Sequence, residues 1–150
     1  MTAFVTAPAG FLLAVLWFDL MFDVQVLRHR GREALPEEVL ASIGGYYRRV
    51  TTLASPMNRL VGIVMVGLIA AIVVEIARDD APSWLSWTSL ALAAIAILTA
   101  LTHTVPSAVR LGRRSDPAPA QSALARSIWR DHVLCLAAIG SLLVLQLAFG

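Results

Sequence analysis

Asp19 and Asp23 are the residues of this chain whose type and position most need a chemical explanation. They lie four residues apart in the apolar segment LWFDLMFDVQVLRHR, residues 16–30. Helical spacing places both carboxyl groups on one face, about a turn apart. Because a carboxylate at the centre of a bilayer costs at least about 2.5 kcal/mol, we expect this aspartate pair to face protein or water and to bind a donor.

Candidate donors lie at the ends of the three other apolar segments of the chain. Asn58 and Arg59 open the second segment, and His103 lies near the end of the third. Arg130 and His132 precede the fourth. In a chain that crosses the membrane back and forth, these ends lie on the same side as the end of the first segment. The sequence therefore predicts that Asn58, Arg59 and Arg130 are polar partners of a cluster formed by the aspartates and histidines.

This cluster is compatible with several roles. Asp19, Asp23, His103 and His132 could be catalytic or could carry protons, since intramembrane ionisable residues mark such pathways. A structural ion pair between Asp19 and Arg59 that fixes helix register is an equally open interpretation. Two Asp and two His would also be acceptable metal ligands, but no close-spaced ligand motif supports such a site, and we predict no metal. The sequence identifies no cofactor.

The composition indicates the elements that must position these residues. Of 150 residues, 58% are hydrophobic and only 15% are charged, with a mean hydropathy of +0.74. A membrane span needs about 20 mostly apolar residues, and the qualifying segments are Phe4–Leu27, Leu60–Ala77, Trp84–Val105 and Val133–Phe149. The sequence therefore predicts an all-α integral membrane four-helix bundle, with residues 1–150 forming a single domain.

The distribution of charge predicts the orientation of the bundle. All basic residues are Arg, and they concentrate between spans one and two and between spans three and four. The positive-inside rule then places both of these loops in the cytoplasm and both termini on the non-cytoplasmic side of the cell membrane. The remaining loop contains Arg78, three residues after Glu75, and we expect these two to form a structural pair. Because the arginines flank membrane spans instead of forming one basic face, nucleic acid is not an expected partner.

The first Arg-rich loop contains a segment with helical periodicity, Pro36–Val50. Its apolar residues recur at intervals of three and four, and Glu37 and Glu38 fall in what would be the first turn. The pattern predicts a short amphipathic helix on the inner membrane surface, with Leu40 and Ile43 immersed in lipid.

Two short segments resemble a known family. HTVPSAV, which follows the third span, and Trp129-Arg130-Asp131-His132, which opens the fourth, are similar to segments of the anthrone-oxygenase-like family of small four-span membrane proteins. The resemblance, which also extends to length and span count, implies the same fold and an oxidative activity on an aromatic substrate.

Three classes of function follow from these observations. The first is an accessory or assembly partner of a membrane complex, which needs no chemistry of its own and which we favour. The second is a membrane enzyme, oxygenase-like, that uses the intramembrane Asp/His cluster. The third is a small proton-coupled transporter in which the aspartate pair titrates. The expected partners are the lipid bilayer and either another membrane protein or further copies of this chain.

Overall fold

The computed structural model describes residues 2–53 and 55–150, and within them the chain is almost entirely helical. Over these described residues six α-helices follow one another, and short 3-10 or π-helical segments extend α1, α2 and α4. Their bounds are α1 Thr2–Asp23, continued by Val24–His29; α2 Glu37–Arg48, continued by Arg49–Leu53; α3 Ser55–Arg78; α4 Ser83–Thr99, continued by Ala100–Thr104; α5 Val105–Arg113; and α6 Ala118–Phe149.

Four of these helical stretches are long and apolar enough to cross a membrane. They are Thr2–His29, Pro56–Arg78, Ser83–Arg113 and Ala118–Phe149. In the bundle, α6 packs against both α1 and α4, and α3 packs against the other sides of α1 and α4. The fully buried Leu68, Ile72, Ile139 and Leu142 form the centre of this membrane core. The predicted all-α membrane helical bundle is confirmed.

The third and fourth helical stretches are longer than the predicted spans. The third continues past Val105 to Arg113, and the fourth begins at Ala118, well before Val133. At about 1.5 Å per residue, helices of this length exceed a hydrocarbon layer of about 30 Å by several turns. The additional turns, together with α2, enclose a second hydrophobic core at the Arg-rich end.

The amphipathic segment is helical, but its apolar face is not immersed in lipid. α2 begins after Pro36 and carries Glu37 and Glu38 in its first turn, where acidic side chains favour the helix dipole. Leu40 and Ile43 are fully buried and pack in the second core with Leu111 of α5. The prediction of lipid immersion is therefore wrong, because periodicity shows that a face is apolar but not what covers it.

Candidate functional site

The aspartate pair lies where α1 meets α2 and α6, at the boundary between the two hydrophobic cores. Asp23 is completely buried, whereas the side chain of Asp19 retains 15% of its exposure. On an ideal helix these two side chains point away from Trp17 and Met21, which lie on the opposite face and are exposed. The expectation that both carboxyl groups face the protein interior agrees with the geometry.

Asp23 binds one side chain from each neighbouring helix. The hydroxyl of Tyr47 on α2 donates to Asp23 Oδ1 at 2.6 Å. Nδ1 of His132 on α6 lies 2.6 Å from Asp23 Oδ2. All three residues are buried, so water does not compete for these bonds, and the orientation of the imidazole is fixed by the carboxylate.

Asp19 accepts a hydrogen bond from Tyr46, the residue next to Tyr47 in α2. The hydroxyl of Tyr46 donates to Asp19 Oδ1 at 2.6 Å, and its ring stacks on Phe22 with centroids 4.0 Å apart. The other carboxylate oxygen, Oδ2, lies 3.7 Å from Nε2 of His132, which is longer than a hydrogen bond. His132 therefore stands between the two carboxylates, bonded to one and facing the other.

Both tyrosines remain hydrogen-bond donors over the accessible pH range. Burial raises the pKa of the Tyr47 hydroxyl well above its ordinary value, and the adjacent carboxylate of Asp23 raises it further. Burial and the carboxylate of Asp19 raise the pKa of Tyr46 in the same way.

The tyrosine pair is the part of the site that the sequence analysis missed. Tyr46 and Tyr47 fall among the apolar positions of the segment Pro36–Val50, and periodicity there indicates only an apolar face. The sequence does contain a signal for this pairing. A buried tyrosine usually finds a hydrogen-bond partner for its hydroxyl, and Asp19 and Asp23 are two intramembrane acceptors that need donors. We call Asp19, Asp23, Tyr46, Tyr47 and His132 the Asp–Tyr–His network.

His103 does not join this network. Its Nδ1 lies 2.5 Å from Oδ2 of Asp131, which also accepts a bond of 3.0 Å from the hydroxyl of Thr104. The His103 side chain is 53% exposed, whereas His132 faces the interior from the next position after Asp131. Of the two predicted histidines, the fold therefore brings only His132 to the aspartates.

The three predicted polar partners also lie elsewhere. The amide of Asn58 donates to the Thr51 carbonyl at 2.7 Å, and Arg130 Nε donates to the Arg126 carbonyl at 3.3 Å. Arg59 is exposed and forms no ion pair with another residue in 2–53 or 55–150. The predicted Asp19–Arg59 pair is wrong, because the donor to Asp19 comes from α2 and not from the start of α3.

The alternative metal site requires His103, which the fold separates from Asp19, Asp23 and His132. With His103 on Asp131, the set Asp19, Asp23, His103 and His132 does not converge. Within the described parts of the chain, no group of three or more His, Cys, Asp or Glu side chains has an arrangement that could hold a metal ion. The aspartates and His132 are instead connected through the tyrosine hydroxyls and the imidazole.

A second buried polar cluster lies at the opposite end of the bundle. Glu75 Oε1 accepts bonds from the Ser86 hydroxyl at 2.7 Å and from the Gln146 amide at 3.1 Å. The same amide contacts the Ser89 hydroxyl at 3.1 Å. These bonds connect α3, α4 and α6, and they replace the predicted pair between Glu75 and Arg78, because Glu75 is turned into the bundle and is 1% exposed.

The Asp–Tyr–His network can act in two ways. As a structural device it ties α1, α2 and α6 together through bonds that are protected from water, and buried networks of this kind rigidify a fold when they are satisfied. As a chemical device, the imidazole of His132 is bonded to Asp23 through Nδ1 and faces Asp19 through Nε2 across 3.7 Å. Proton transfer between the two carboxylates through the ring would require that second distance to shorten to hydrogen-bond length.

Comparison with known proteins identifies a family. Residues 1–149 match the family described as ER membrane protein SH3, the SHR3 chaperone family. No curated protein and no solved structure matches the chain. The comparisons do not support the resemblance to the anthrone-oxygenase-like family, which depended on two short segments.

The family description bears on function and location. It names a chaperone, which agrees with the predicted accessory or assembly role of a membrane protein. It names the ER membrane and not the predicted cell membrane, and the sidedness of the termini stays a prediction. Since the match extends over residues 1–149, this chain belongs to the SHR3 chaperone family of membrane proteins.

Proposed function

We propose that this protein is a membrane-embedded chaperone that holds transmembrane segments of another multi-span membrane protein during its assembly. The observation that carries the proposal is the family match over residues 1–149. The proposed site of action is the membrane into which newly made clients are inserted, which for the family as described is the ER membrane.

The outer face of α1 is the proposed client-binding surface. Trp17, Phe18 and Met21 are exposed to 62%, 61% and 58%. Aromatic residues and Met are enriched at protein interfaces, and the flexible thioether of Met suits surfaces that accept varied partners. We call these three residues the α1 stripe.

The depth of Trp17 in the membrane supports this assignment. Tryptophan in membrane proteins usually lies at the membrane–water interface, and Trp84, the second residue of α4, lies at the end of a membrane helix in this way. Trp17 precedes Arg28 by eleven residues, and the last five steps lie in the 3-10 segment. At about 1.5 Å per residue in α1 and about 2 Å in the 3-10 segment, Trp17 lies about 19 Å into a layer of about 30 Å. An exposed indole at this depth gains little from lipid headgroups but can pack against another helix.

The Asp–Tyr–His network supports the same role from the other side of α1. It fixes the inner face of the helix to α2 and α6, so the stripe on the outer face is presented by a rigid element. Interfaces supported by a rigid scaffold lose less entropy when a partner binds.

The test is site-specific photo-crosslinking in the membrane. A photoreactive residue at Phe18 should crosslink to another multi-span membrane protein, whereas the same probe at Val144 of α6, which is 64% exposed, should react mainly with lipid. Equal protein adducts at both positions, or none at Phe18, would contradict the proposed surface.

A matched substitution tests the function itself. Trp17→Leu together with Met21→Leu keeps α1 apolar and insertion-competent but removes the aromatic ring and the thioether. We expect normal amounts of the variant and a lower yield of the crosslinked client. An unchanged client yield would show that the stripe only faces lipid.

The contacts of His132 favour a second candidate, a proton-coupled carrier. In that role Asp19→Asn should fold normally and abolish proton-coupled uptake in vesicles, because the imidazole would lose one of its two carboxylates. In a chaperone, the same variant should change client yield only to the extent that it changes the stability of the protein.

A further inference from the structure

At the Arg-rich end of the protein, α2 and α5 cross at close range. A methyl group added to Gly112 of α5 would lie 2.8 Å from the backbone nitrogen of Arg48 on α2. Gly112 is therefore needed for the two backbones to meet, and the side chains around the crossing are left to form the walls of a groove.

Two adjacent cavities run along this crossing. The first, of about 360 Å³, is lined by Arg48, Thr52, Val109, Gly112 and Arg113. The second, of about 370 Å³, shares the residues at the crossing and extends along α2 to Glu37. The first cavity has two guanidinium groups and a hydroxyl on its walls and no carboxylate.

The arginines around the groove differ in whether they are already paired. Arg114 binds Glu37 at 2.6 Å, and Arg110 binds Asp116 at 2.8 Å; the Arg110 guanidinium lowers the pKa of the Asp116 carboxyl below its ordinary value. Arg48 and Arg113 are exposed and form no ion pair with any residue in the described parts of the chain. Two unpaired guanidinium groups that line one cavity favour a ligand with negative charge.

The position of the first cavity indicates what kind of anion would reach it. Thr52 is followed by Leu53, which is 66% exposed, and Val105 lies one turn before Val109 on the membrane side of α5 and is 47% exposed. The cavity is thus bordered by apolar surface on the side where α3 and α4 enter the bilayer. A ligand with a charged head and an apolar tail matches this arrangement.

We propose that the cavity between α2 and α5 binds the phosphate group of an anionic phospholipid, with Arg48 and Arg113 donating to the phosphate oxygens and the Thr52 hydroxyl adding a third donor. Guanidinium groups suit this role because they donate two parallel bonds to phosphate, and basic pockets beside membrane helices bind anionic headgroups. The acyl chains then follow Leu53 and Val105 into the bilayer. This proposal does not depend on the client-binding role.

The experiment measures lipid binding to the full-length protein in neutral detergent. Phosphatidylglycerol is titrated against phosphatidylcholine, and the bound lipid is counted by native mass spectrometry while thermal stability is followed in parallel. The test variant is Arg48→Gln with Arg113→Gln. The control variant, Arg28→Gln with Arg32→Gln, removes the same charge from exposed arginines that line neither cavity.

The proposal predicts that phosphatidylglycerol binds to the wild type and to the control variant and raises the melting temperature of both. In the test variant the affinity should fall about tenfold or more, since each lost charge-assisted bond to phosphate is strong, and the thermal shift should disappear. Equal binding by the two variants would mean that only overall charge matters and would overturn the site.

A further arm separates a lipid from a soluble phosphate compound. Glycerol 1-phosphate and inorganic phosphate carry the same charged group without acyl chains, so they should stabilise the protein only at far higher concentration. If either matches phosphatidylglycerol at equal concentration, the cavity takes a soluble phosphate and the lipid assignment is overturned. If phosphatidylcholine binds as tightly as phosphatidylglycerol, the cavity does not select an anion at all.

Discussion

Removing the Tyr47 hydroxyl tests whether the Asp–Tyr–His network holds the bundle together. In Tyr47→Phe the ring remains, but the hydroxyl is lost together with its bond to Asp23 Oδ1, 2.6 Å away, and its longer contact with Nδ1 of His132 at 3.4 Å. Because Asp23 is 0% and Tyr47 2% exposed, water cannot replace the donor. Leaving a buried acceptor unsatisfied costs about 1–3 kcal/mol, and we expect the free energy of unfolding to fall by that amount.

The adjacent tyrosine supplies the matched control. Tyr46→Phe removes a bond of the same length, 2.6 Å, from Asp19, but the Asp19 side chain is 15% exposed and can recruit another donor. We therefore expect a smaller loss, near the ordinary net value of about 1 kcal/mol for one hydrogen bond. The assay is unfolding of the purified protein by a denaturing detergent, followed by helical circular dichroism.

A double-mutant cycle identifies the partner. In an Asp23→Ala background the carboxylate that Tyr47 satisfies is absent, so Tyr47→Phe should cost much less than in the wild type. Contacting residues of this kind typically couple by about 0.5–3 kcal/mol. Additive losses, or equal losses from Tyr46→Phe and Tyr47→Phe, would refute the reasoning that burial makes the Asp23 bond the stronger support.

Three further predictions follow from the contacts described above. His132→Ala should destabilise the protein far more than His103→Ala in the same unfolding assay. The first change leaves a buried carboxylate short of a partner, whereas the second removes an exposed contact with Asp131 worth at most about 1 kcal/mol. Equal losses would contradict this ranking. Gly112→Ala should cost about 1–3 kcal/mol because its methyl group meets the α2 backbone, whereas Gly45→Ala, which meets nothing within 4 Å, should be neutral or stabilising. Reporter fusions at the C-terminus and within Asp116–Ala120 should report opposite sides of the membrane, and finding both on one side would overturn the predicted four-span topology.

Which histidine pairs with Asp19 and Asp23 could not be predicted from the sequence. Desolvation cost alone indicated that Asp19 and Asp23 face the interior, and helical topology placed His132 on the same side of the membrane. Neither argument distinguishes His132 from His103, since both lie near the Arg-rich ends of the spans predicted from sequence. The rotation of each helix about its own axis decides which histidine faces the aspartates. For His132 that rotation is set by the packing of α6 against its neighbours.

Three features can be read from the residues alone: the four membrane helices as one set, the presence of the helix over Glu37–Arg48 and the inward direction of both aspartates. These features depend on hydrophobicity, periodicity and desolvation, which act along a single segment. The tertiary structure decided that α2 packs in a second core and that its tyrosines, not Arg59, satisfy the aspartates. Tyr46 is 27 residues from Asp19 in the chain. A local sequence pattern cannot predict which of several donors so far away the fold will bring into contact with Asp19.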